Sequence, residues 1–248
     1  THTISLSLQI AIVFLYTFMM LMACDSTIET TEDAQTAALS KDPKVLLENS
    51  KEKQRIGAYD EAIEILNIAV KIDPKFVPAY NQIGLILFEA DKKNESVEAF
   101  KNAIAIDPKN LNSRLGLGKT YSMITRNDLA VEQYLKAADL KKNDPEILFK
   151  IALEYWYHQN LEKSKEYYNK VLEIDSSHTQ AHLNLISVYE RLEEWKKAIR
   201  EIEISRQLGK EKKDSLVVSI AERKKKFILG RMNLTEEEYQ RKSQPPFD

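Results

Sequence analysis

Three groups of residues in this 248-residue chain could do chemistry, and each asks for something different of its surroundings. Cys24 is the sole thiol, so it can form no disulfide within the chain; as a soft nucleophile it is suited to alkylation. His178 and His182 are four apart, the spacing that places two imidazoles on one helix face for a metal, but no third ligand accompanies them. His178 also falls in a break between repeated blocks, and such a pair is more often not a metal site. The basic run Arg223-Lys224-Lys225-Lys226 could meet an anionic lipid or an acidic partner, although such runs are usually a solvated helix face. There is no glycine-rich phosphate loop and no serine with a plausible His and Asp arrangement. A non-enzymatic protein without cofactor or metal is expected.

Cys24 follows the most apolar stretch of the chain. From Leu6 to Ala23 the only clearly polar side chains are Ser7, Gln9 and Thr17, enough for about 27 Å of helix across a bilayer. The run ends Leu21-Met22-Ala23-Cys24 and turns abruptly polar at Asp25-Ser26-Thr27. This resembles the bacterial lipobox, which implies a diacylglyceryl thioether on Cys24 and cleavage before it. It also implies a lipoprotein of the bacterial cell envelope, facing the periplasm or exterior. The alternative is an uncleaved transmembrane anchor. Either way residues 1–23 are expected to enter a membrane as a signal peptide or anchor, and residues 24–42, acidic and without an apolar face, to form a tether. As a flexible coil that tether would span about 20 Å.

The remainder must be positioned by helices. Gly and Pro are scarce at 6 and 7, and 43% of residues are hydrophobic against 30% charged, a balance that favours an all-α body. Lys and Arg number 36 and Asp and Glu 38, so no global attraction to nucleic acid is expected.

Ile72-Asp73-Pro74 recurs as Ile106-Asp107-Pro108, 34 residues on, and Ile174-Asp175-Ser176 stands two periods later. That period divides the chain into blocks 43–76, 77–110, 111–144, 145–178 and 179–212. Ser50, Gly84, Gly118 and Ala152 align as one column of small residues, broken by Ile186. Ala62, Ser96, Ala130, Ser164 and Ala198 form a second, and Ala69, Ala103 and Ala137, then Val171 and Ser205, a third. Small side chains at fixed spacing imply helices in close contact. Large ones fill between them: Leu66, Phe100, Tyr134, Tyr168 and Ile202 in one column, and Leu87, Tyr121, Tyr155 and Tyr189 in another. Each block is predicted to be a two-helix hairpin that turns near Gly57, Asp91, Thr125, Gln159 and Glu193. A further helix over Asp214 to Leu229 should cap the last hairpin within 213–230. In the tail, 231–248, Thr235-Glu236-Glu237-Glu238 has the pattern of a capping box.

These columns resemble the tetratricopeptide repeat over about two-thirds of the chain. The fourth residue of each block, where that family has a tryptophan-like place, is Leu46, Tyr80, Arg114, Leu148 or His182. The resemblance implies a right-handed α-solenoid whose concave wall, lined by the first helix of each hairpin, holds a protein or peptide. Transferred by register, the groove residues are Leu85, Phe88, Lys119, Met123, Phe149, Leu153, Trp156, Tyr157 and Arg191. The places of the family's chaperone-tail clamp hold Leu47, Lys51, Gln82, Asn112 and Gly116, so chaperone tails are disfavoured. The function implied is a membrane-tethered scaffold, an adaptor for envelope assembly or recruitment. The alternative is a transport accessory that binds a small hydrophobic ligand or docks a substrate-binding protein.

Overall fold

A computed structural model describes residues 40–242. The apolar segment, the lipobox-like cysteine and most of the tether therefore lie outside the described residues, as does the end of the tail. Within them, the first helices of five successive hairpins are 13 residues long: α1 (Pro43–Arg55), α3 (Val77–Glu89), α5 (Leu111–Met123), α7 (Pro145–Tyr157) and α9 (Thr179–Arg191). Their partners are α2 (Tyr59–Ile72), α4 (Lys93–Ile106), α6 (Asn127–Leu140), α8 (Leu161–Ile174) and the longer α10 (Trp195–Glu211). The cap helix α11 (Ser215–Arg231) and the short α12 (Glu236–Lys242) follow. The fold is all-α among the described residues. No described helix is long and apolar enough to cross a membrane.

The chain divides into two compact units, one ending at Ile106 and one starting at Asp107. In the first, two hairpins enclose Leu46, Leu66 and Ile86. In the second, the fourth and fifth hairpins and the cap enclose Tyr168, Leu185, Ile186, Ile199, Ile202 and Ile228, each at most 1% exposed. Burial of one such side chain contributes about 1.5–3 kcal/mol.

Local chemistry sets where each helix starts and stops. The recurring aspartate makes the break between hairpins: Asp73, Asp107 and Asp175 each accept the backbone N–H two residues on, at 2.9, 3.0 and 2.9 Å. That bond holds the chain in a turn that a helix could not contain. Asn110, Asp144 and Asp214 then cap the next helices by accepting from Ser113, Ile147 and Val217. Inside every hairpin the turn enters left-handed backbone at Gly57, Asp91, Thr125, Gln159 and Glu193. The following N–H closes onto a carbonyl five residues earlier, as from Arg126 to Tyr121 at 2.9 Å. Glycine fills the place once; elsewhere the closure carries the cost of a side chain there. The capping box forms with both bonds, Glu238 N–H to Thr235 Oγ1 at 3.2 Å and Thr235 N–H to Glu238 Oε2 at 2.7 Å.

The small columns are where helices meet. A Cβ on Gly84 would lie 2.8 Å from the Phe100 ring, and one on Gly118 would lie 2.7 Å from the Tyr134 ring. Ser96 and Ser164 of the second column donate to the Gly84 and Ala152 carbonyls at 2.8 and 2.9 Å. These bonds cross from one helix of a hairpin to the other. Gly118→Val is expected to destabilise the protein by about 2–3 kcal/mol in urea unfolding, because the Tyr134 ring must move in a packed interior. Ala152→Gly, at the same place in the next hairpin, should cost only about 1 kcal/mol through helix propensity.

Candidate binding face on the first helices

The nine groove residues fall in both units, Leu85 and Phe88 in the first and the other seven in the second. In the first unit Leu85 is exposed, and the half-buried Phe88 ring has the Lys93 ammonium 5.1 Å from its centre. Beside it Gln82 donates to Gln54, which donates to Glu89 at 2.7 Å. This part of the wall is hydrogen-bonded and polar.

The second unit is different. On α7, Phe149 is wedged between Tyr168 of its own hairpin, at 5.5 Å and 60°, and His178 at the head of α9, stacked at 5.0 Å and 23°. Phe149 therefore packs on neighbouring rings, and Leu153 is half-buried. One turn further on, the half-buried Trp156 lies under the Arg191 guanidinium, 5.1 Å from the ring centre, while Arg191 Nη1 donates to Gln159 Oε1 at 2.5 Å. The result is an aromatic plate with a fixed cation on it. Tyr157 and Met123 are 57% exposed, and Lys119 is exposed on α5. At the far side Lys224 of the cap reaches Glu190 of α9 at 2.6 Å.

The histidines are structural. His178 caps α9, its Nδ1 accepting the Ala181 N–H at 3.2 Å. His182 is 5% exposed, with Nδ1 2.6 Å from Glu201 Oε2 and Nε2 3.1 Å from the Ser176 carbonyl. Both facing oxygens are acceptors, so both bonds exist only when the ring carries two protons. Among the described residues no group of three His, Cys, Asp or Glu could hold a metal ion.

His182 is one instance of a repeating device that the sequence columns did not reveal. In two blocks the fourth residue hydrogen-bonds to the twenty-third of the same block, and in three it hooks the carbonyl six residues before it. Arg114 donates to Gln133 at 3.2 Å and to the Pro108 carbonyl at 2.9 Å. The Tyr80 hydroxyl donates to the Pro74 carbonyl at 3.3 Å. At the same places Leu46 and Ile65 belong to one buried cluster, and Leu148 and Tyr167 both pack against another. The signal lay in residues nineteen apart changing character together.

Burial pushes the His182 imidazole down, but the hydrogen bonds to Glu201 and Ser176 and the Glu201 charge outweigh it and hold the ring above its ordinary value. The stabilisation is complete below about pH 6.5, where the unfolded histidine is also charged, and is lost as pH rises through the folded value. Unfolding free energy should therefore fall on passing from pH 6 to pH 9. His182→Gln, measured in the same urea titrations, should show a flatter dependence.

Known proteins with these features share the architecture. A profile of the family described as "Tetratricopeptide repeat" matches residues 77–110 and 145–178. Anaphase-promoting complex subunit 3 of Schizosaccharomyces pombe is 26% identical over 172 residues, covering 69% of this chain and 26% of that protein. The chain thus spans about a quarter of that relative's length. Among solved structures, MamA superposes with a TM-score of 0.62 at 21% identity, over 66% of this chain and 95% of that one. YrrB, described as a TPR protein with an unusual peptide-binding site, gives 0.61 at 18% identity, over 74% and 93%.

Proposed function

This chain is built of tetratricopeptide repeats, and from that premise we propose that it is a membrane-tethered scaffold holding a protein or peptide partner on the first-helix face of its second unit. The observation that carries the reading is the Trp156 plate with Arg191 fixed on it, beside the exposed Tyr157. Aromatic and arginine side chains held by their own neighbours lose little entropy when a partner covers them, and they dominate binding energy at interfaces. The peptide site named for YrrB supports a peptide as the occupant. A face with Tyr157 and Met123 each 57% exposed suits an extended partner better than a small hydrophobic ligand, which needs enclosure.

The lipobox-like run Leu21-Met22-Ala23-Cys24 supports a bacterial envelope membrane as the scaffold's place, with a lipidated Cys24 as its anchor. The resulting function is an adaptor that recruits or assembles another envelope protein. Its partner search is confined to one membrane face.

Two measurements test the reading. A photo-crosslinker at Tyr157 in cells should capture one partner reproducibly, and Trp156→Ala or Arg191→Ala should each weaken that partner's affinity by about tenfold or more. A partner indifferent to both substitutions refutes the plate as its contact. Separately, Cys24→Ala should abolish incorporation of labelled lipid and shift the protein's membrane attachment. Unchanged label and attachment would refute lipidation.

A further inference from the structure

Six large apolar side chains among the described residues are at least 45% exposed. Met123 and Tyr157 belong to the face already described. The other four sit on two helices: Val45 (45%) is in α1 and Ile56 (61%) is its C-cap residue, and Leu216 (68%) and Phe227 (52%) lie on α11. Each pair is eleven residues apart, three helical turns or about 16.5 Å, so both residues of a pair fall on one stripe. Between them, seven residues after the first, stands a charge. On α1 it is Glu52 and on α11 it is Arg223, both exposed.

The two stripes therefore have the same spacing and opposite sign. Laid side by side and parallel, they set Val45 against Leu216, Glu52 against Arg223, and Ile56 against Phe227 in a single register. Parallel is also the direction in which successive first helices touch within the array, as α1 touches α3. Glu52 is held by Arg55 of its own helix at 2.6 Å, but that pair is solvent-exposed on both sides, and such pairs contribute little that a partner could not replace. Arg223 makes no ion pair among the described residues.

We infer that a second copy of this chain docks its α1 on the α11 stripe, joining copies head to tail. The surfaces that meet are different ones, so the contact is heterologous: each added copy leaves a free α1 at one end and a free α11 at the other. One helix face buries well under the roughly 800 Å² per partner of a standard interface. Association is accordingly weak and concentration-dependent, and it produces a series of oligomers.

The test uses the full chain in mild detergent, with a photo-crosslinking phenylalanine analogue in place of Phe227 and a mixture of isotopically light and heavy protein. The expected product joins position 227 of one copy to α1 of another, seen as mixed-isotope peptides, with species beyond the dimer. Glu52→Arg should lower its yield about tenfold, and adding Arg223→Glu should restore it. Circular dichroism should show all three proteins equally folded, since both positions are on the surface. Four results overturn the inference: adducts only to residues 25–39 of the same copy, symmetrical 227-to-227 adducts, label only on lipid or detergent, or a double variant that fails to recover.

Discussion

The close approach of two helices within each hairpin is the constraint from which the remaining features follow. A ring at the twenty-fourth place of a block lies on a residue with little or no side chain at the eighth, Phe100 on Gly84 and Tyr134 on Gly118. The interior is dense enough there that one carbon decides whether the helices reach contact. Once they do, the serine hydroxyls of the facing column come within reach of carbonyls that already carry a helical bond, and the hairpin gains links that do not depend on apolar area. Hairpins made this way have no interior of their own. Within the second unit the last hairpin buries its open side on the cap helix, which carries Val217, Ala221, Ile228 and Leu229 inward.

The binding face is what that packing leaves over. Residues pointing between hairpins are consumed by the core, and those on the free side of the first helices are released for other use. The boundary falls within α7. Phe149 is drawn into a stack with Tyr168 and His178, while Tyr157, two turns later, stands in solvent. Trp156 is intermediate, one side against the core and the other under Arg191. In the first unit the equivalent side is occupied by the Gln54, Gln82 and Glu89 relay, so the two units offer different surfaces from the same architecture.

Much of the fold was legible in the sequence because it rests on short-range rules. The aspartates before each new block, the left-handed turn positions and the Thr235 to Glu238 capping box are local devices, and a 34-residue period multiplies each local signal by the number of copies. What could not be read was the set of contacts between distant residues of unlike type. The fourth-place residues Leu46, Tyr80, Arg114, Leu148 and His182 range from apolar to charged, and the partners nineteen residues on, Gln133 and Glu201, make sense of Arg114 and His182. Likewise the register assigned Phe149 and Tyr157 to one wall, but it carries no information on which ring a neighbour such as His178 will cover. Leu216 and Phe227 are apolar residues of the cap helix, yet both are exposed among the described residues.

The hook from the fourth residue has a consequence for how such an array can change over generations. The hydrogen bonds from Tyr80, Arg114 and His182 to the preceding block end on a main-chain carbonyl, of Pro74, Pro108 and Ser176 respectively, and every amino acid supplies a carbonyl. The side-chain half of each lock travels inside its own block. A hairpin can therefore be copied, lost or exchanged by recombination without its neighbour needing a compensating substitution at that joint, and blocks as dissimilar as those headed by Arg114 and Leu148 can stand next to each other in one chain.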